Sequence, residues 1–172
     1  MESDQIPIAL HRNGALATIT LNQPAKRNAV SAAMWQALPS LVAEVEQDRE
    51  LCVLIVRGAS GAFCAGADIS EFPDVYATPE STACYNNDVR EAQMTLAALS
   101  KPTIAAIDGV CVGGGCGIAL CCDIRIAARG SRFGITPSRL GIAYSFADTK
   151  RLVDTVGPAH AKHILFLSLI HI

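Results

Sequence analysis

The sequence predicts an α/β domain with a mainly parallel sheet, and three observations carry that expectation. Positions 51–56 (LCVLIV) and 103–107 (TIAAI) are short, unbroken runs of apolar and β-branched residues, the pattern of strands covered on both faces. Segments with helical spacing separate these runs, giving the strand, loop, helix, strand alternation of parallel sheets. Two further β-rich runs, 6–10 and 15–21, flank His11-Arg12-Asn13-Gly14, and Asn-Gly is a strong local signal for a hairpin.

The elements follow in order. Val30, Met34, Leu38, Leu41 and Val45 recur every three or four residues and mark an amphipathic helix, which Pro39 is expected to kink or break. The strand at 51–56 ends in a loop of small residues, 57–62. Positions 70–88 are polar, contain Pro73 and Pro79, lack a steady period and read as a mobile loop. A helix is expected over 88–99, stopped by Ser100-Lys101-Pro102, and is followed by the strand 103–107. A short apolar helix over 116–122 and a strand over 124–128 come next, with a last helix over 159–167. The tail 168–172 is apolar and has neither cap nor stop signal, so the natural chain is expected to continue past it or to differ there.

Composition closes off several functions. Apolar residues make up 51% of the 172 residues and charged ones 17%, which supplies a core and excludes a disordered chain. The net charge is −2, no basic stripe is present and aromatics are only 5%, so nucleic acid is not an expected partner. The seven cysteines contain no Cys-x-x-Cys pair and lie mostly in apolar runs. They read as buried thiols in a reducing compartment, with no metal cluster and no disulfide framework. The first residues do not form a secretory signal, and no run of 18 apolar residues could span a bilayer. A cytoplasmic protein is expected.

Two loops of very small residues carry the chemistry: Phe63-Cys64-Ala65-Gly66-Ala67-Asp68-Ile69, and the segment 109–117 with Gly113-Gly114-Gly115 at its centre. Each follows a strand, where parallel α/β folds bind ligands. Small residues let a substrate approach backbone N–H groups, and two such groups from separate loops can form an oxyanion hole. The spacing fits neither a dinucleotide fingerprint, nor a phosphate loop, nor a nucleophile elbow.

FCAGADI and GVCVGGGCGIAL-CCDIRIAA together resemble the enoyl-CoA hydratase/isomerase (crotonase) superfamily, as do TLNQPAKRNAVS and FGITPSRLGI. The resemblance implies a crotonase-like spiral of ββα units, here a single partial domain over 1–172 whose C-terminal helical part is missing or incomplete. It also implies an acyl-CoA thioester as substrate, coenzyme A entering with it and no other cofactor, no metal, and a homotrimer or hexamer for the full-length chain. The oxyanion hole maps onto the amides of Ala67 and Gly114. Lys26 and Arg27 match positions near the CoA phosphates, and Ala25, Ala65, Asp68 and Ile69 match the CoA and acyl channel. Val112, Gly115, Pro137, Ser138 and Gly141 match further substrate-binding positions. Asp68 reads as a loop-holding hydrogen-bond acceptor.

The two glutamates with which the family's hydratases add water are replaced here by Gly117 and Ser138. General acid–base chemistry on water needs a titratable group within reach, so lyase, decarboxylase or isomerase chemistry is expected in place of standard hydration. TPSRLGIAY is similar to the methylmalonyl-CoA decarboxylase subgroup, which makes Tyr144 a catalytic candidate, although that subgroup carries a histidine where Ala67 stands. Glu71, Asp74 and Asp148 are further acids in or near the mapped loops, while His11, His160 and His163 fall outside them. The alternative is a non-catalytic CoA-binding or assembly protein that has kept the fold.

Overall fold

The computed structural model describes residues 7–136 and 141–168. A five-stranded sheet has the order β1-β2-β3-β4-β6, with β1 (Ile8–Asn13), β2 (Leu16–Leu21), β3 (Val53–Gly58), β4 (Thr103–Ile107) and β6 (Ile124–Ala127). β1 pairs antiparallel with β2, and every later pair is parallel. The hairpin turn is Gly14-Ala15, one residue later than the Asn-Gly signal indicates, because Asn13 pairs with Leu16 and closes a two-residue loop. Gly14, at φ 56°, takes the first central position of that turn.

The strands are not covered on both faces as their apolar runs predict. Ile19, Leu21, Leu54, Val56, Ala105 and Ile107 are buried on the helix-covered face. Thr18, Ile55, Ala106 and Ile126, on the other face, border an open depression of about 550 Å³. All four residues of β6 are exposed.

Helix α1 (Ala32–Gln47) begins at Ser31, whose hydroxyl accepts from the Met34 amide. It buries Met34, Trp35, Leu38, Val42 and Val45. Pro39 neither breaks nor ends it: buried residues on both sides of Pro39 hold the helix through the one lost backbone bond, because packing outweighs propensity here. The loop expected over 70–88 is instead helical. A 3₁₀ turn at Ile69–Glu71 leads into α2 (Phe72–Val75), and α3 (Pro79–Ala97) follows. Pro73 and Pro79 lie in the first turns of these helices, where a missing N–H costs nothing, and Thr78 and Ser81 form a capping box. Periodicity is weak because α3 buries only Tyr85, Ala92, Gln93 and Leu96.

Helix α4 (Gly114–Cys121) starts two residues before its expected position, and α5 (Phe146–Leu167) starts thirteen before. Ser145 caps α5, and Gly157 at φ 76° bends it just before Pro158. A second, two-stranded sheet pairs β5 (Val110–Val112) with β7 (Arg132–Gly134) in parallel. Of the cysteines, Cys64, Cys111, Cys116, Cys121 and Cys122 are buried, as expected for thiols in apolar runs; Cys52 and Cys84 are exposed and depart from the buried reading.

Among the described residues no helix is long and apolar enough to cross a membrane, and no group of three or more His, Cys, Asp or Glu could hold a metal.

Candidate active site

Three stretches of backbone are stitched together beside the main sheet. The Val30 amide donates to the Gly66 carbonyl (2.7 Å) and the Asp68 amide to the Val30 carbonyl (2.9 Å). On the other side, Cys64 donates to Val110 and accepts from Val112, each at 2.9 Å. Ala67 is thereby clamped between the segment before α1 and β5. β5 runs into Gly113, whose amide donates to Gly134 (2.8 Å) and which N-caps α4. The first helical residue is Gly114, so its amide belongs to the unpaired donors at a helix N-terminus.

The two loops meet at close range. A Cβ on Gly114 would lie 3.5 Å from the Ala67 nitrogen and 3.2 Å from Trp35 Cζ2. A Cβ on Gly66 would lie 3.1 Å from the Val112 carbonyl and 3.7 Å from the Gly114 nitrogen, and Gly66 has φ 107°, so both space and backbone call for glycine. Neither the Ala67 nor the Gly114 amide donates to a carbonyl or side chain among the described residues.

A cavity of about 130 Å³ opens at this junction. Of the sequence-predicted residues it brings together Ala65, Ala67, Ile69, Val112, Gly114 and Tyr144. Gly66 and Gly113, named in the sequence only as members of the two loops, also line it, as do Phe72, Thr136, Ile142 and Ala143, which were not singled out there.

Other predicted residues are placed elsewhere. Gly115 packs inward: a Cβ there would lie 2.7 Å from Cys64 Cβ, which makes it a close-packing glycine. Ala25, Arg27 and Gly141 are exposed and do not border the cavity. Pro137 and Ser138 lie outside the described residues.

Lys26 Nζ lies 2.5 Å from Asp68 Oδ2 and also donates to Ser70 Oγ, so this lysine is tied across the loop rather than free. Asp68 also accepts from the Ser70 amide (3.1 Å) and hydroxyl (2.6 Å). Burial opposes ionisation of Asp68, but the bonds from Lys26 and Ser70 outweigh it and hold the carboxyl below its ordinary value.

Asn28 is a structural residue the sequence reading missed. Fully buried at φ 57°, it donates to the Ala59 and Ala62 carbonyls (2.8 and 2.7 Å) and accepts from the Gln23 amide (3.0 Å). Its signal is present in the sequence: asparagine is the residue, after glycine, that best tolerates the left-handed region.

The opposite wall carries side chains. The Tyr144 hydroxyl is buried and has no hydrogen-bond partner among the described residues. Burial first, then the nearby Asp148 charge, pushes its ionisation well above the usual phenol range, so it stays a neutral hydroxyl. Tyr144 and Ala143 also line a second cavity of about 670 Å³, which includes Gln93, Asp148 and Arg151. Among the other acids, Glu71 accepts from the amide of Ala32, the first residue of α1 (2.7 Å), and Asp74 is exposed on α2.

With this geometry in hand, the chain matches the family model described as Enoyl-CoA hydratase/isomerase over residues 11–169. The chain belongs to the enoyl-CoA hydratase/isomerase family. It is similar to the short-chain-enoyl-CoA hydratase of Clostridium acetobutylicum, at 37% identity over 161 residues covering 92% of this chain and 60% of that protein. A solved enoyl-CoA hydratase/isomerase family protein from Hyphomonas neptunium superposes with a TM-score of 0.93 at 44% identity, covering 95% of this chain and 63% of that one. An enoyl-CoA hydratase/carnithine racemase from Magnetospirillum magneticum gives 0.92 at 38% identity, covering 96% and 62%. The mixed α/β architecture is thus that of the crotonase fold, and the chain spans about 60% of the length of its curated relatives.

Proposed function

We propose that the protein binds an acyl-CoA thioester and stabilises its enolate, the thioester oxygen accepting hydrogen bonds from the Ala67 and Gly114 amides. The observation that carries this reading is the pair of amides, unpartnered among the described residues and from loops 47 residues apart in the sequence (67 to 114), lining one small cavity. A thioester carbonyl gathers negative charge as a bond at its α-carbon breaks, and donors already aimed at that oxygen stabilise the charge without reorganising. The N-terminus of α4 adds its dipole in the same sense.

Within the family the reading is lyase- or isomerase-like. Gly117 and Ser138 carry no carboxylate, so two-acid activation of water has no groups to perform it. Coenzyme A is part of the substrate, with Lys26 and Arg27 nearest its phosphates. The full-length protein would be a homotrimer or hexamer, and Phe146 and Phe166, 85% and 78% exposed, are surfaces such an assembly could cover.

Turnover of malonyl-type and enoyl-type CoA thioesters tests the reading, together with binding of an S-alkyl-CoA thioether that lacks the carbonyl. Turnover of at least one thioester is expected, with the thioether binding about tenfold or more weakly through loss of two hydrogen bonds to a charged or polarised oxygen. Equal binding of thioether and thioester, with no turnover, would leave the non-catalytic CoA-binding alternative.

A further inference from the structure

Five of the seven cysteines are buried, and two of the five meet. Cys111 is the middle residue of β5 and Cys116 lies in the first turn of α4, so they bracket Gly113 and Gly114. Their sulfurs are 3.9 Å apart, with the Cys111 thiol donating to Cys116 Sγ. The Cys116 thiol donates in turn to the Cys111 carbonyl (2.9 Å) and lies 3.4 Å from the Gly134 carbonyl.

Both cysteines line a cavity of about 330 Å³ behind the amide pair, together with Leu120, Phe133, Ile135, Leu152 and Ile164. Arg125 is its one charged lining residue, and that guanidinium is bonded to the Ala119 and Cys122 carbonyls. An uncharged molecule of a few heavy atoms fits such a space, whereas a charged one would lose its hydration on entering. The two thiols are not equivalent. The bond from Cys111 holds the Cys116 ionisation below its ordinary value, and the same bond, with burial, raises that of Cys111. The N-terminal dipole of α4 also favours negative charge at Cys116. A thiolate is the nucleophile in thiol oxidation, so Cys116 is the attacking sulfur and Cys111 the resolving one.

We propose that Cys111 and Cys116 are an oxidisable dithiol, that an uncharged hydroperoxide converts it to a disulfide, and that this disulfide disables the amide pair. The loss of activity rests on the enolate reading above; the oxidation does not. Cys116 sulfur attacks the nearer peroxide oxygen, the O–O bond breaks, and the departing alkoxide takes the Cys116 proton. An alcohol and a sulfenic acid result. Cys111 sulfur then attacks the Cys116 sulfur, the S–O bond breaks, and hydroxide leaves with the Cys111 proton as water. The two thiols give up two electrons and one peroxide accepts them.

The disulfide cannot form without moving the site. Its sulfurs must come to about 2.0 Å, a closure of about 1.9 Å from their present separation. Strand β5 resists, because β7 is bonded along one edge and Cys64 along the other. The start of α4 is what yields, since the short span between the cysteines contains three consecutive glycines, Gly113, Gly114 and Gly115. A shift there carries the Gly114 amide with it and breaks its register with the Ala67 amide.

The test treats the reduced protein with tert-butyl hydroperoxide, denatures it, labels free thiols with iodoacetamide and assigns the labels by tandem mass spectrometry. Thioester turnover is followed in parallel. Cys111 and Cys116 should lose their label together while Cys121 and Cys122 keep theirs. Turnover should fall at least about tenfold, and dithiothreitol should restore both label and turnover. Cys116→Ala should match the wild-type rate when reduced and keep it after the peroxide. Label retained at Cys111 and Cys116, equal inactivation of Cys116→Ala, or a disulfide with undiminished turnover each overturns the proposal. Absence of turnover in the reduced protein overturns the enolate reading instead, and the labelling alone then decides the dithiol. Should Cys116→Ala not fold, Cys111→Ala should stop at the Cys116 sulfenic acid, which dimedone traps; no adduct at Cys116 overturns the assignment.

Discussion

The wall that carries Ala67 and Gly114 is made of backbone, whereas the wall that carries Tyr144 and Asp148 is made of side chains. On the first wall the polar groups open to the cavity are the Ala67 and Gly114 N–H groups, and at Gly66, Ala67, Gly113 and Gly114 the side chains are reduced to hydrogen or methyl where the two loops close on each other. Its precision comes from ladder-like bonds through Val30, Gly66, Cys64 and Val112. On the second wall the backbone only supports, and buried polar atoms are left unbonded. In the function proposed above, the first wall would hold the thioester oxygen and the second would face the acyl group. Substitutions should therefore separate the two: on the backbone wall, fold and activity fail together, and on the side-chain wall activity fails alone.

The largest expected effect tests the backbone wall without changing its shape. Converting the Ala67 amide to an ester by semisynthesis deletes one N–H and should lower turnover by about 10²–10³-fold, roughly 3–4 kcal/mol. Unchanged turnover would show that this amide holds no developing charge.

Next comes Asn28→Ala, which leaves the Ala59 and Ala62 carbonyls unbonded behind the loops. It should cost about 2–3 kcal/mol in urea denaturation and reduce turnover with it. Loss of stability with full turnover would break the coupling claimed for that wall.

Asp68→Asn should cost about 1 kcal/mol or less, since Lys26 is 49% exposed and solvent screens the pair. Because the folded Asp68 value is depressed, its contribution is present above the unfolded carboxyl range, near pH 4, and is lost as pH falls through the folded value. The difference in melting temperature between wild type and Asp68→Asn should accordingly be largest at neutral pH and vanish in acid.

The smallest change in stability is expected at Tyr144. Tyr144→Phe removes a buried hydroxyl that bonds nothing among the described residues, so stability should hold within about 0.5 kcal/mol or rise. A stability loss above about 1 kcal/mol would mean that the hydroxyl is structurally engaged, and the contrast between the walls would narrow.

The backbone wall was largely legible in the sequence and the side-chain wall was not. Runs of Gly and Ala after strands pointed to the two loops, and the family resemblance mapped the amide pair onto Ala67 and Gly114 and added Tyr144. Spacing could not separate Gly115, which faces Cys64, from Gly114, which faces the cavity, because adjacent helical residues look alike in one dimension. Asp148 could be no more than one acid among three: its burial depends on α5 and α3 meeting α4, a contact among elements far apart in the chain. Helix α3 was hidden for a related reason. It buries few residues and opens with Pro79, so its proline reads as a breaker until the capping partners Thr78 and Ser81 are recognised.

Cys64, in the first loop, packs directly against the second. Its main chain bonds to both ends of β5, at Val110 and Val112, its sulfur accepts the Gly66 amide (3.3 Å), and its Cβ and sulfur press on the bare face of Gly115. One thiol residue thus gauges the gap between two loops that never touch in sequence. Burial pushes its ionisation to about 12, which keeps it inert toward alkylating reagents at neutral pH. Enlarging it by a single methyl group would wedge both loops at once, so the caliper, rather than either jaw, is the position with least room for evolutionary drift.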